Sequence, residues 1–294
     1  MRRLSIAAPA KINLFLDLLA RRPDGYHDLC TLFAEVGLAD RLTLQPADEG
    51  RLRVVGPYDD GVPADERNLV WKAMDLMQAE PSVGICLEKN VPHGAGLGGG
   101  SADAAAALVL LNALRTQPLP PAELEALASK LGSDCTFFVR TGPAMGTDRG
   151  TRLEPVTLAR PVPSLLVLPE FPISTREAYG RITPAMLGPR SDAAAWIHWC
   201  ADPTGPPPQG ANTFEEALFP AFPELAAILA DLRGAGAIYA RLSGSGSACF
   251  GLFASNIARD AAARALASRR VVATEVLPRW PALPDEVARS RRTA

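Results

Sequence analysis

VPHGAGLGGGSADAAAALVLLN, residues Val91 to Asn112, sets five glycines between Gly94 and Gly100, immediately ahead of a run of strong helix formers from Ser101. Glycine lets the chain turn successive N–H groups toward one point and lets a ligand approach with no Cβ in the way. The start of a helix adds unpaired N–H donors and the positive end of its dipole, so the segment reads as a polyphosphate cradle. A plain turn capped by Ser101 would need one or two glycines, not five. Gly94, Gly96 and Gly99 also satisfy G-x-G-x-x-G, but Pro118, Pro120, Pro121 and a second helical pattern stand where a dinucleotide fold needs its next parallel strand. No Gly-Lys-Ser/Thr closes the loop as in a Walker A motif, and no protein-kinase signature occurs.

The rest of the chain bounds the classes that such a cradle can serve. With 294 residues, roughly two domains' worth, it can bury a large core unaided. Thirty Lys+Arg against 32 Asp+Glu give a net charge of −2, too balanced for a protein that binds nucleic acid by neutralising phosphates. Five scattered cysteines (Cys30, Cys86, Cys135, Cys200, Cys249) show no C-x-x-C spacing, which argues against a disulfide framework or zinc site and favours a reducing cytoplasm. Arg2-Arg3 does not open a signal peptide, since Lys11 and Asn13 interrupt the apolar run. No apolar stretch approaches the ~18 residues of a membrane span.

Alternation from Ile6 to Leu18 predicts a half-buried strand, with Lys11, Asn13, Phe15 and Asp17 on its outer face. The turn RRPDGYH follows, then short strands at Arg41 to Leu44 and Leu52 to Val55, a helix over Asn68 to Gln78 and a strand over Val83 to Leu87. Helices are predicted over Ser101 to Leu114 and Pro121 to Leu131, and the proline-bearing stretch Thr147 to Pro163 is read as the seam between lobes. Beyond it lie a strand from Ser164 to Leu168, a loop at DPTGPPPQG (Asp202 to Gly210), helices over Asn212 to Leu218, Glu224 to Arg233 and Ala258 to Arg269, and strands at Ala237 to Leu242 and Ala248 to Phe253 around SGSGS. The basic end ARSRRTA reads as a solvated tail.

The opening PAKINLFLDL, the loop PHGAGLGGGSADAA and the late RLSGSGSACFGLF together resemble the three motifs of the GHMP small-molecule kinase superfamily, in order and spacing, across nearly the whole chain. The added segments RRPDGYHDLCTLF and LGSDCTFFV are similar to the branch that acts on a polyol carried on cytidine diphosphate. The resemblance implies an α+β, two-lobed fold, with a β-rich N-terminal lobe (1–157) carrying the phosphate loop and an α/β sandwich C-terminal lobe (158–294), the active site lying in the cleft between them. It implies ATP with Mg²⁺ as cofactor, and phosphorylation of the 2-hydroxyl of a cytidine-diphosphate-linked methylerythritol in the non-mevalonate isoprenoid pathway. A monomer or weak homodimer in the cytoplasm, with no nucleic-acid or membrane partner, goes with it. Homoserine, mevalonate or a sugar as acceptor, or a nucleotide-binding module without turnover, remain as alternatives.

On that resemblance Asp134 stands where the family has its catalytic base and Lys11 where it has its catalytic lysine; residues alone read equally as a helix-capping carboxylate and a solvent-facing lysine. Lys11 would lower the hydroxyl's pKa or hold Asp134 ionised. ATP contacts are implied for Lys89, near the adenine, and for Pro92, Gly94, Gly96, Leu97, Gly98, Gly99, Gly100, Ser101 and Ala102. Asp103 is read as a counter-charge to the helix dipole with no ligand role. For the acceptor, Asn13 would orient the substrate, Tyr26 and His27 would hold the cytosine with Tyr179 completing a sandwich, and Gly244 and Ser245 of SGSGS would close over the site. Metal ligands are not legible. Departures from the family pattern are His93, where Met is frequent, and NTFE at Asn212 to Glu215 in place of NDFE.

Overall fold

The computed structural model describes residues 4–279, so the Arg2-Arg3 start and the basic ARSRRTA end lie outside the described residues. Ser5–Arg21 forms β1 and His27–Pro46 forms β2, an antiparallel hairpin closed by the Pro23-Asp24-Gly25 turn, in which Gly25 takes a φ of +85°. β2 runs much further than the predicted Arg41 to Leu44. In chain order follow β3 (Leu52–Val55), α1 (Leu69–Leu76), β4 (Val83–Glu88), α2 (Gly99–Asn112), α3 (Pro121–Leu131), α4 (Ser133–Arg140), β5 (Ala144–Thr147) and β6 (Arg152–Pro155). Part of the stretch read as a seam is therefore strand. β2 is the hub of this half, pairing antiparallel with β1, with β4 through Arg41 to Pro46 and with β5 through Thr31 to Phe33, while β3 lies parallel beside β4.

The second half comprises β7 (Val162–Val167), α5 (Thr175–Gly180), α6 (Ala193–Ala201), α7 (Thr213–Leu218), α8 (Pro223–Gly234), β8 (Tyr239–Leu242), β9 (Cys249–Leu252), α9 (Asn256–Ala265) and β10 (Val271–Val276). Its strands pair antiparallel in the order β10-β7-β9-β8, and the Val276–Val36 pair joins them to β2. The fold is the two-lobed α+β arrangement expected. Phe15, Leu32 and Val91 share one core with Trp196 and Phe250, so the halves are packed as one body. α2 is buried on nearly every side, which its alanines permit by letting neighbours approach closely.

β1 departs from its half-buried expectation, because both of its faces are covered. Lys11 is 4% exposed, Asn13 1% and Asp17 1%. Each polar group instead finds a partner inside the protein: Asp17 accepts from the N–H of Arg190 and of Ser191, both at 2.8 Å, and Asn13 Nδ2 donates to Thr31 Oγ1 at 2.8 Å.

The two halves are also pinned by one buried hydroxyl, Tyr239 Oη, which donates to the Leu14 carbonyl at 2.6 Å. Tyr239→Phe keeps the ring and orphans that carbonyl, and should lower stability by about 1–2 kcal/mol. Thermal unfolding checks this; an unchanged midpoint would show the bond contributes nothing.

Candidate active site

The phosphate loop is shaped by where its carbonyls go. Gly94 O accepts from Ile173 N at 3.2 Å, Ala95 O from Ala248 N at 3.0 Å, Leu97 O from Lys11 N at 2.9 Å and Gly98 O from Ala102 N at 2.9 Å, while Gly96 O accepts from Ser243 Oγ at 3.0 Å. With the carbonyls held inward, Gly99, Gly100 and Ser101 line a cavity of about 1160 Å³, and the first turn of a helix leaves their N–H groups without helical acceptors. Gly96 has a φ of +73°, and a Cβ there would lie 2.1 Å from Ser243 O. Only glycine fits.

α2 starts at Gly99, two residues before the predicted Ser101, because Gly98 adopts a left-handed N-cap conformation at φ +70°. Ser101 therefore stands in the first turn instead of capping the helix. Pro92, Gly94, Gly96, Leu97 and Gly98 line the same cavity. Two expected nucleotide contacts do not. Ala102 is buried, and its N–H is taken by Gly98 O. Lys89 is 2% exposed and lies beneath the loop, its Nζ donating to Asp103 Oδ2 at 2.8 Å and to Asp40 Oδ2. Its ammonium is held by two carboxylates and does not line the cavity. Burial disfavours the Lys89 charge, but Asp103 and Asp40 outweigh it and hold the ammonium above the ordinary lysine value. Asp103 is this ion's partner, a closer role than the dipole counter-charge read from sequence.

At the far end of the loop stand the groups expected to meet the acceptor. Lys11 Nζ donates to Asn13 Oδ1 at 2.7 Å, and Thr31 Oγ1, which takes Asn13's amide hydrogen, donates on to Phe15 O at 2.5 Å. This chain fixes the amide with its oxygen toward the lysine. Asp134 sits in the first turn of α4, where Gly132 is the N-cap and no side chain caps the helix. Its carboxylate is thus not the cap that sequence allowed, and it lines the cavity with Lys11. Burial lowers the Lys11 pKa, and the charge of Asp134 opposes that fall. Gly244 and Ser245 join the wall from the SGSGS hairpin, a Cβ on Gly244 falling 3.0 Å from Lys11 Nζ.

Asn212, noted in sequence only as part of a variant motif, holds that hairpin. Its Nδ2 donates to Leu242 O and Gly244 O, each at 2.8 Å. Thr213, where the family pattern has Asp, accepts from Leu18 N at 2.9 Å, so the substitution keeps an acceptor.

Tyr26, His27 and Tyr179 line the other side of the cavity. The ring contact, however, is between His27 and Tyr179, with centroids 5.3 Å apart, and Tyr179 also sets its edge on Phe214 at 4.9 Å. Burial, then the charge of Arg21, lowers the His27 pKa and keeps the imidazole neutral at pH 7, with one donor and one acceptor. Burial, with Asp134 adding, pushes the Tyr179 hydroxyl up to about 12. Tyr26 is 54% exposed, and its ring carries the Arg149 guanidinium at 3.6 Å from the centroid. Arg149 was not read from sequence. It lines the cavity, and its Nε is buried with no hydrogen-bond partner among the described residues. An arginine in a surface turn, TDRG, gives no signal of this in sequence. His93 lines the mouth with its Nε2 3.2 Å from Asp60 O.

Among the described residues no group of three or more His, Cys, Asp or Glu is placed to hold a metal. Ser101, beside the free amides, is an oxygen donor of the type Mg²⁺ takes when phosphates supply most of its shell.

Residues 68–142 match the family described as GHMP kinases N terminal domain, and residues 200–272 match GHMP kinases C terminal. The chain is 42% identical over 256 residues to the 4-diphosphocytidyl-2-C-methyl-D-erythritol kinase of Azobacteroides pseudotrichonymphae, covering 84% of this chain and 93% of that protein. The enzyme of that name from Pelotomaculum thermopropionicum is 40% identical over 270 residues, covering 89% and 93%. A crystal structure of 4-(cytidine 5'-diphospho)-2C-methyl-D-erythritol kinase superposes with a TM-score of 0.80 at 38% identity, covering 93% of this chain and 99% of the other. Homoserine kinase from Cytophaga hutchinsonii, at 17% identity and a TM-score of 0.70 over 95% and 97%, shares the fold.

The loop geometry sets two substitutions against each other. Gly96→Ala meets the Ser243 carbonyl and a positive φ, and should cost on the order of 3 kcal/mol. Gly100→Ala meets nothing within 4 Å in a helical turn, and should leave stability unchanged or raise it by up to about 1 kcal/mol. Denaturant unfolding of the pair reads both; equal stabilities would contradict the described contact.

Proposed function

The chain belongs to the GHMP kinases, as one of the 4-diphosphocytidyl-2-C-methyl-D-erythritol kinases, and from that premise we propose how its own residues divide the work of phosphoryl transfer. It is an ATP-dependent small-molecule kinase of the non-mevalonate isoprenoid pathway. The triphosphate lies along the N–H groups at the start of α2, with its terminal phosphoryl toward Lys11 and Asp134. The substrate's 2-hydroxyl oxygen attacks the γ-phosphorus, the bond to the β,γ-bridging oxygen breaks, and ADP leaves. The hydroxyl proton passes to the Asp134 carboxylate. Lys11, held by Asn13, places one positive charge between that carboxylate and the transferred group. Mg²⁺, held by Ser101 and the nucleotide's phosphates, would neutralise phosphate charge. His27 presents its donor and acceptor to the cytosine edge beside the Tyr179 ring, and Arg149, whose buried Nε has no hydrogen-bond partner among the described residues, supplies a cation at that end for the substrate's diphosphate.

The observation that carries this reading is that one cavity gathers the phosphate loop, Lys11 with Asp134, and the Tyr26, His27 and Tyr179 rings. Five free cysteines support a reducing compartment.

ADP formation with ATP·Mg²⁺ should occur with the cytidylylated methylerythritol and not with homoserine, mevalonate or galactose; turnover of one of the latter alone would reassign the acceptor. Asp134→Asn should reduce turnover at least ~100-fold with ATP affinity little changed, and an unaltered rate would remove Asp134 from the chemistry. Both roles open to Lys11 require it charged. Since burial lowers its pKa, activity should fall on the alkaline side at a pH below the ordinary lysine value of 10.5. Removing the opposing charge in Asp134→Asn should move that limb to still lower pH. A limb at or above 10.5 would contradict the assignment of Lys11.

A further inference from the structure

We propose that Lys89, Asp40 and Asp103 form a buried positioning triad that sets where the phosphate loop stands, and through it the affinity for the nucleotide. The three side chains are 3%, 0% and 4% exposed, and they come from three parts of the chain: the residue just past the end of β4, the middle of β2 and the first turns of α2. One ammonium, Lys89 Nζ, is shared by Asp103 Oδ2 at 2.8 Å and Asp40 Oδ2. The second oxygen of Asp40 accepts from the backbone N–H of Asn90 and from that of Val91 at 2.8 Å, the two residues at which the chain leaves β4 for the loop. The same Nζ lies 3.4 Å from where a Cβ on Gly99 would stand.

Both ends of the loop are therefore tied to one buried charge cluster. Asp40 fixes its entry at Asn90 and Val91, and Asp103 fixes its exit by anchoring the first turns of α2, with Lys89 as the link between them. An ion pair so buried contributes little net stability over a well-packed apolar replacement, because desolvating the charges offsets most of their attraction. Orientation is what it supplies. Amides that converge on a phosphate work only while their relative positions hold, and a displacement near 1 Å can cost on the order of 100-fold in such a site. None of the three side chains lines the cavity, so they act through the loop and not on a ligand.

The inference rests on the reading that the loop binds ATP, and the test separates the two. The probes are adenylyl imidodiphosphate, a non-hydrolysable ATP analogue, and CDP, each titrated by calorimetry against wild type, Asp103→Asn and the double variant Lys89→Met with Asp103→Leu. The double variant replaces one charge pair by apolar groups and leaves Asp40 buried with its two backbone donors but without its cation, and thermal unfolding establishes whether it folds. Its affinity for the ATP analogue should fall about tenfold or more, while its affinity for CDP stays within about twofold. Asp103→Asn should lower analogue affinity in the same selective way by a smaller factor. Equal loss for both probes would show a general structural role and overturn the proposal, as would an analogue affinity within about twofold of wild type in either folded variant. If the double variant does not fold, Asp103→Asn decides alone by the same criterion. A wild type that binds the analogue but makes no ADP with the cytidylylated alcohol defeats the kinase reading and leaves the triad standing; a wild type that does not bind the analogue defeats both.

Discussion

The carbonyl oxygens of residues 94–98 are all occupied by donors within the protein, and most of what the active site can do depends on that. Three of the donors are backbone amides from distant parts of the chain: Ile173, Ala248 and Lys11. A loop of this glycine content is free to expose either its N–H or its C=O groups, and the two choices give sites of opposite electrostatic sign. Fixing the carbonyls inward makes the cavity wall electropositive without a basic side chain on the loop. It also ties the phosphate loop to β1 through the backbone N–H of Lys11, so a residue whose side chain lines the cavity also anchors the cradle.

The charges in the cavity follow from this arrangement. Lys11 is buried at a cost that lowers its pKa, and what keeps its ammonium in place is a short polar chain through Asn13 and Thr31 to the Phe15 carbonyl, together with the nearby carboxylate of Asp134. Asp134 escapes the capping role that its position at the head of a helix would suggest, because Gly132 precedes the helix as its N-cap and leaves the carboxylate turned to the cavity. At the other end a neutral imidazole, a raised-pKa tyrosine and a guanidinium resting on the Tyr26 ring make a surface suited to a base and to negative charge, a combination that the shared fold of homoserine kinase does not by itself imply.

Much of this was legible in the chain. Glycine spacing ahead of an alanine-rich helix announced the cradle, since both signals are local, and the PAKINLFL and LGSDCTFF segments were readable through their resemblance. Burial was not. Alternation in β1 distinguishes two faces but cannot tell that both are covered, so Lys11 and Asn13 looked solvated until β2 and the second half of the chain closed over them. The length of β2 was hidden because Thr31 to Val36 is buried at every residue and lacks the alternation of a half-exposed strand. The ion pairing of Lys89 was hidden for a related reason: its partners Asp40 and Asp103 are remote in sequence, and nothing local to EKN marks an ammonium bound for the interior. The role of Arg149 is invisible for the same cause, being set by a tyrosine more than a hundred residues earlier.

The contact between Gly96 and the Ser243 carbonyl makes the two glycine-rich segments a single machined fit, although 147 residues separate them in the gene. Neither can drift alone, since a side chain gained on one would have to be absorbed by the main chain of the other. Chimaeras that exchange halves between relatives should therefore transplant both segments from the same parent.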